Sequence, residues 1–154
     1  MRIIYIPIYR GSIKVEYLDK TLYRVEYIDS IRLKTYNDAV SRLFLRYVKG
    51  IKTDFTSLKL DFNGLSNFQI RVYNVVRTIP YGEVRSYKWV AEHLGIKSPR
   101  AVGQALKRNP FLIVVPCHRV VRSDGDLGGF TSIHGIDLKK YLLELEGVYI
   151  LRKR

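Results

Sequence analysis

The stretch Ser86–Pro110, SYKWVAEHLGIKSPRAVGQALKRNP, determines the architecture predicted for the second half of the chain. Ser86 is a favourable N-cap for a first short helix, and Gly95 is placed to end that helix. Ser98 followed by Pro99 predicts the start of a second helix, because proline is favoured at the first helical position. Two short helices joined by a glycine-containing turn match helix-turn-helix geometry, although an ordinary corner of two packed helices has the same spacing.

The residues that follow, FLIVVPCHRV from 111 to 120, contain the single cysteine of the chain, Cys117. The apolar run predicts a short buried strand over 111–116. A thiol attacks as the thiolate, so a nucleophilic cysteine needs a base or a cationic environment, which His118 and Arg119 can supply. Because neighbouring side chains of a strand point to opposite faces, contact between the thiol and the imidazole needs a turn or a bridging water. The alternative is a buried cysteine that acts only as a small apolar residue.

The charge of the chain predicts a polyanionic partner, most often nucleic acid. The chain has 154 residues, 47% of them hydrophobic, and a formal net charge of +13. Between Val84 and Ser123 the only acidic residue is Glu92. The alternative is a basic surface without a ligand. The basic residues in this block are Arg85, Lys88, Lys97, Arg100, Lys107, Arg108, Arg119 and Arg122.

Several classes of protein are disfavoured. One cysteine cannot form an internal disulfide or a cysteine-based zinc site, and His93, His118 and His134 lack paired metal-ligand spacing, so we expect no metal. No apolar run is long enough to cross a membrane, and the apolar N-terminus is interrupted too soon for a signal peptide, which predicts a cytoplasmic protein. Sparse Asn and Gln with abundant Ile, Tyr, Lys and Arg favour a thermophilic source.

The first half of the chain predicts a smaller β-β-β-α unit. Residues 2–28 are rich in β-forming side chains, with turns expected at 11–12 and 19–20. Asp38 and Gly50 bracket a helical pattern as its N-cap and C-terminal stop.

The remaining pattern predicts a partly packed connector and the elements that surround the helix pair. They are a connector over 51–65, a helix from Ser66 or Asn67 to a stop at Pro80, a turn-rich loop over 123–129, a last helix ending at Gly147, and a further strand over 148–151.

The pentapeptide PCHRV, residues 116–120, carries a family resemblance. With Asn109-Pro110 and the apolar run before it, it resembles the O6-alkylguanine-DNA alkyltransferases, also called methylated-DNA–protein-cysteine methyltransferases. The resemblance extends from about Phe68 to Gly147, whereas residues 1–60 are similar only in length and general pattern. The other stretches that carry it are YGEV at 81–84, SY at 86–87, RAVG at 100–103 and LELEG at 143–147.

The resemblance implies an α/β (α+β) fold in two parts. Residues 1–60 would form an N-terminal α/β subdomain, a small β-sheet plus a helix that resembles a ribonuclease-H-like fold. Residues 61–154 would form a helical C-terminal domain with a winged helix-turn-helix, which binds DNA and holds the active site.

The resemblance also implies DNA repair by direct damage reversal. The partner would be double-stranded DNA containing O6-alkylguanine, bound through its minor groove, and the damaged nucleotide would be flipped out of the stack. The alkyl or methyl group would then pass irreversibly to Cys117, so that each molecule works once, as a suicide methyltransferase. No cofactor would be needed, and the protein is expected to be a monomer.

The resemblance assigns a role to each catalytic residue. Cys117 would be the nucleophile, His118 its base through a water, and Glu146 the carboxylate that orients the histidine. Tyr87 would donate a proton toward the guanine leaving group. Asn109 would tie the DNA-binding helix to the segment that carries the cysteine. Arg119 is expected to be structural.

The DNA and lesion contacts come from two further sets of residues. Arg100 resembles the arginine that enters the vacated base stack, with Ser86, Ala101, Gln104 and Lys107 as its DNA-binding neighbours. Thr131 falls where the family offers a hydroxyl residue whose backbone N–H approaches the guanine oxygen. The other expected lesion contacts are Val120, Phe130 and Ser132. Phe130 stands where tyrosine is common in the family, Thr131 where serine is common and Ser132 where glycine can occur, which predicts a tighter or less polar pocket for the alkyl group.

Two other classes of function remain as alternatives. A non-catalytic lesion-binding or regulatory protein would use the helix pair, although such alkyltransferase-like relatives lack the motif cysteine that this chain keeps. A cysteine hydrolase would use the cysteine and histidine but would leave the basic helix pair without a role.

Overall fold

A computed structural model describes residues 1–127 and 136–150, which form a mixed α/β protein. The predicted residues Phe130, Thr131 and Ser132 lie outside the described residues, as does the end of the 123–129 loop. The strands are β1 (Arg2–Ile8), β2 (Gly11–Leu18), β3 (Thr21–Ile28), β4 (Lys59–Leu60), β5 (Arg85–Ser86) and β6 (Val120–Val121); the helices are α1 (Ala39–Val48), α2 (Asn67–Val76), α3 (Tyr87–His93), α4 (Pro99–Lys107) and α5 (Ile136–Leu145), with a 3₁₀ helix at Cys117–Arg119.

The first half forms a sheet with strand order β1-β2-β3-β4, in which the first three strands are antiparallel and β4 is parallel to β3. The predicted meander is confirmed, but the turn expected at 11–12 is wrong. The reversal occurs at Tyr9 and Arg10, and Tyr9 adopts a φ of 56°. Gly11 already belongs to β2, where it pairs with Ile8, and a Cβ there would lie 2.1 Å from the Ile28 carbonyl oxygen. This glycine therefore permits close strand packing rather than a turn.

Helix α1 confirms both of its predicted ends. The Asp38 side chain accepts a hydrogen bond from the Ser41 backbone N–H at 2.8 Å, which satisfies one of the free donors of the first turn. Gly50 follows the helix with a φ of 75°, a left-handed conformation that glycine adopts without strain. In the connector that follows, Phe55 and Leu58 are buried, and the short strand β4 within it was not predicted.

The helices of the second half begin at the predicted caps. Ser66 and Gln69 form a capping box at α2, and this helix ends at Val76, ahead of the predicted stop at Pro80. Ser86 caps α3, and Ser98 caps α4 with proline in its first turn. Helices α3 and α4 pack against each other, as the helix-turn-helix pattern predicts. The parallel pair β5–β6, two residues in each strand, was not predicted.

The segment 111–116 is buried but is not a strand, so that prediction is wrong. Phe111 makes an isolated bridge to Val25, and Ile113 then turns the chain with a φ of 73°. The Val114 N–H donates to the Leu112 carbonyl oxygen at 2.8 Å, a tight turn rather than a ladder contact. A short apolar run predicts burial, but its hydrogen bonds depend on whether a neighbouring strand is available.

The tail also departs from its prediction. Residues Val148–Ile150 form no strand; instead the Val148 N–H donates to the Leu143 carbonyl oxygen at 2.8 Å and closes the end of α5. The predicted end of that helix at Gly147 is confirmed. Buried side chains from both halves of the chain, among them Val25 and Phe111, belong to one hydrophobic cluster. Within residues 1–127 and 136–150, no helix is long and apolar enough to cross a membrane.

Candidate active site

Cys117 begins the 3₁₀ helix and is 5% exposed. Its backbone N–H donates to the Val115 carbonyl oxygen at 2.7 Å, so the chain reverses immediately before the thiol. This is the turn that the sequence required for the cysteine and histidine to share an environment. Burial raises the pKa of the Cys117 thiol, while a hydrogen bond from Asn109 and the charge of Lys139 oppose the shift. Burial thus outweighs the cationic environment that the sequence predicts for the thiolate.

Glu146, which directly follows α5, collects hydrogen bonds from four other residues, and its side chain is fully buried. One carboxylate oxygen, Oε1, accepts from Arg119 Nε at 2.8 Å and from the Gly82 backbone N–H at 3.0 Å. The other, Oε2, lies 2.5 Å from His118 Nε2 and accepts from the Tyr47 hydroxyl at 2.6 Å. Arg119 Nη2 reaches the same oxygen at 3.1 Å. The histidine and glutamate predicted to pair are therefore in direct contact.

The protonation of this cluster follows from its charges. Burial alone raises the pKa of Glu146, but the charges and hydrogen bonds of His118 and Arg119 lower it well below its usual range. Burial lowers the pKa of His118, and the adjacent carboxylate only opposes that shift. Because an ionised carboxylate only accepts, the shared proton belongs to His118 Nε2. His118 Nδ1 is buried and has no hydrogen-bond partner among the described residues, so it is the ring nitrogen available to accept a proton.

Lys139 is a site residue that sequence reasoning missed. It is fully buried, and its ammonium donates to the Val120 carbonyl oxygen at 2.7 Å and to the Tyr87 hydroxyl at 3.3 Å. Burial lowers the pKa of Lys139 to about 8. A signal was present in the spacing, since Lys139, Leu142 and Glu146 share one face of a helix at i, i+3 and i+7. A cation on the apolar face of that pattern marks a site candidate.

Tyr87 and Asn109 connect the helix pair to the cysteine. Tyr87 begins α3, and its ring lies against Gly103 of α4, where an added Cβ would be 3.7 Å from the ring. Burial raises the pKa of Tyr87 to about 12, so its hydroxyl keeps its proton at neutral pH. Asn109 follows α4; its amide donates to the Val115 carbonyl oxygen at 2.9 Å, and its oxygen accepts from the Phe111 N–H at 2.9 Å. These two bonds join the end of α4 to the turn that carries the thiol.

The residues predicted to bind DNA differ in exposure. Arg100, Gln104 and Lys107 are exposed on α4, whereas Ala101 is partly buried. Ser86 is also partly buried, and its hydroxyl accepts from the Trp89 N–H at 2.9 Å as the cap of α3. Of the predicted lesion contacts, Val120 is buried and its carbonyl is engaged by Lys139. Among the described residues, no three His, Cys, Asp or Glu side chains come together as a metal site.

The fold and the site define a mixed α/β protein in which a basic helix pair lies beside a buried cysteine, histidine and glutamate. Residues 67–148 match the model of the 6-O-methylguanine DNA methyltransferase, DNA binding domain. The chain belongs to this family.

Relatives extend the similarity beyond that domain. The chain is 49% identical over 102 residues to a methylated-DNA–protein-cysteine methyltransferase of Methanothermobacter thermautotrophicus, an alignment that covers 66% of this chain and 56% of that relative. It therefore spans little more than half the length of that protein. A protein of the same name from Sulfurisphaera tokodaii is 39% identical over 146 residues, which cover 92% of this chain and 90% of the relative. The crystal structure of Mycobacterium tuberculosis OGT in complex with DNA superposes with a TM-score of 0.77 at 34% identity, covering 92% of this chain and 90% of that one.

Proposed function

We propose that this protein repairs DNA by moving the alkyl group of O6-alkylguanine onto Cys117 in a single irreversible turnover. The observation that carries the proposal is the contact of His118 Nε2 with Glu146 at 2.5 Å, in a sealed cluster next to the only cysteine of the chain. This arrangement supplies a neutral histidine with a free Nδ1, which is what an activated thiol needs. Membership of the methyltransferase family supports the same reaction.

The chemistry is one displacement. The Cys117 thiol gives its proton, through a water, to His118 Nδ1, and the sulfur forms a bond to the alkyl carbon. The bond from that carbon to the guanine oxygen breaks, and the guanine leaves as an anion. Tyr87 donates a proton toward that anion. Lys139 stabilises the negative charge that this donation leaves on the Tyr87 oxygen, because its ammonium donates to that oxygen. The thioether has no route back to the thiol, so the protein is consumed.

We propose that the helix pair α3–α4 delivers the lesion to this site. As a winged helix-turn-helix, it would enter the minor groove of double-stranded DNA, with Arg100 filling the stack that the flipped nucleotide leaves. Flipping costs about a few kcal/mol of stacking and pairing, which contacts in the pocket must offset. The remaining proposed DNA contacts are Ser86, Ala101, Gln104 and Lys107, and the remaining lesion contacts are Val120, Phe130, Thr131 and Ser132.

We propose that the two predicted domains have different roles. Residues 61–154 would hold the helix pair and the cysteine, and residues 1–60, with a ribonuclease-H-like arrangement, would support them. The protein would act as a cytoplasmic monomer without a cofactor.

The decisive experiment is a mass measurement of the peptide that contains Cys117. The wild-type protein is mixed with a duplex that carries one O6-methylguanine or with a plain duplex. The Cys117→Ala variant is mixed with the same two duplexes. We expect one added methyl group on Cys117, only with the methylated duplex, and at most one repaired base for each protein molecule. An unmodified Cys117 after long incubation with excess duplex refutes the proposal. If wild type and Cys117→Ala bind the methylated duplex equally well and neither removes the methyl group, a non-catalytic lesion-binding role is favoured.

A further inference from the structure

One hydroxyl from the first half of the chain reaches into the cysteine site. Tyr47 lies on α1, far in sequence from the PCHRV segment, and is fully buried. Its hydroxyl donates to Glu146 Oε2 at 2.6 Å and lies 3.4 Å from His118 Nε2. The ring has two aromatic neighbours, and its centroid lies 5.7 Å from that of Phe55 and 6.0 Å from that of Tyr81. The hydroxyl is therefore held in place by packing that does not depend on the hydrogen bond.

We infer that Tyr47 is a positioning residue for the proposed transfer reaction, which holds His118 and tunes its basicity through the Glu146 carboxylate. The inference rests on the proposed function for its kinetic consequence, but not for its effect on the histidine. The hydroxyl and the Nε2–H donate to the same carboxylate oxygen. The two oxygens near His118 Nε2, Glu146 Oε2 and the Tyr47 hydroxyl oxygen, therefore favour a proton on that nitrogen. His118 Nδ1 then keeps its lone pair.

The direction of the tuning follows from charge. The charged and titratable groups around His118 come from three elements. Lys139 lies in α5 and Glu146 directly follows it, Cys117 and Arg119 belong to the 3₁₀ helix, and Tyr47 lies in α1. Donation from the tyrosine disperses negative charge on the carboxylate. Without that donation the carboxylate is a stronger partner for a protonated imidazole, so the pKa of His118 rises.

The first test is an NMR titration of the His118 ring in the unreacted, full-length protein. The variant is Tyr47→Phe, which keeps the packed ring. Tyr17→Phe is the matched control, because Tyr17 is also buried and donates to a carboxylate, but that carboxylate is Asp38, at 2.5 Å, and not Glu146. We expect Tyr47→Phe to move the His118 titration upward by about half to one pH unit, and Tyr17→Phe to leave it unchanged.

The second test is the pH profile of alkyl transfer to Cys117 in single turnover. Because His118 must be neutral to accept the thiol proton, the acid limb should move upward with the titration in Tyr47→Phe. The rate at neutral pH should change little, because burial already lowers the pKa of His118, and the loss of rate should appear on the acid limb. Tyr17→Phe should keep the wild-type profile. If both variants keep the His118 titration and the acid limb of the wild type, Tyr47 only packs and the inference is overturned.

The two proposals fail separately. If wild-type Cys117 takes up no alkyl group while Tyr47→Phe still shifts the His118 titration, the proposed function is wrong and the positioning of His118 stands. If Tyr47→Phe does not fold, 3-fluorotyrosine at position 47 replaces it, since that hydroxyl is a stronger donor. The His118 titration should then move downward, and an unchanged titration overturns the inference.

Discussion

Asp38 and Glu146 are both carboxylates that accept from a tyrosine hydroxyl and an arginine, but they differ in how far they are sealed from water. The Asp38 side chain is 21% exposed and its partner Arg2 is half exposed, whereas the Glu146 side chain is fully buried. Asp38 caps a helix, so its position is explained by local structure. Glu146 instead contacts a histidine, His118, which follows the cysteine in sequence. Full burial and contact with a histidine therefore distinguish the site carboxylate Glu146 from the structural cap Asp38.

Glu146→Gln should have the largest effect, because it removes a buried charge and leaves Arg119 uncompensated. Breaking such a buried pair costs about 3–5 kcal/mol of unfolding free energy. Transfer to Cys117 should slow by about 100-fold, since His118 loses the carboxylate that orients it. Urea unfolding and single-turnover repair measure the two effects. A loss no greater than that of Asp38→Asn would show that the two carboxylates are equivalent.

Lys139→Met should separate activity from stability at the same site. The ammonium is buried at a cost, so the variant should be more stable than wild type by about 1–3 kcal/mol at pH 7, while transfer slows by about 100-fold. The pKa of Lys139 is lowered from 10.5 to about 8, so the unfolded chain binds more protons between those values. The free energy of unfolding of the wild type should therefore rise relative to that of the variant as the pH rises from about 8 to 10.5.

The neighbouring residue supplies the control for this prediction. Lys140 is exposed and its ammonium lies 3.9 Å from Glu144. Lys140→Met should leave transfer unchanged and should lack the stability gain. A Lys139→Met protein that repairs at the wild-type rate would remove the lysine from the proposed chemistry.

Asp38→Asn should have the smallest effect, about 1 kcal/mol of unfolding free energy, because asparagine still caps α1 and only a partly exposed charge is lost. Although burial opposes it, hydrogen bonds from Tyr17 and Ser41 lower the pKa of Asp38 from 3.8 to about 2. The stabilisation is therefore complete above pH 3.8 and is lost as the pH falls toward 2. Acid unfolding of the variant and wild type should converge there, with transfer unaffected at neutral pH.

Local sequence signals predicted the elements with strong caps. Ser66, Ser86 and Ser98 begin their helices as expected, because a capping hydroxyl satisfies donors within its own turn. The segment 111–116 is predicted to be a strand but is a buried turn. An apolar run predicts that a segment is buried, but it does not predict the hydrogen-bond partners of its backbone. The turn expected at 11–12 is wrong because Gly11 is a strand residue. A side chain at this position would collide with the Ile28 carbonyl oxygen across the sheet.

The sequence by itself determined the helix pair, the basic block, the cysteine with its histidine, and the resemblance that pointed to Glu146. The first three depend on neighbours along the chain, where spacing and residue type are sufficient, whereas Glu146 follows only from the resemblance. Only the tertiary structure decided that Tyr47 and Lys139 enter the same site, because packing joins residues that are distant in sequence. It also decided that burial raises the pKa of Cys117, since the dielectric surroundings of a group depend on everything that folds around it.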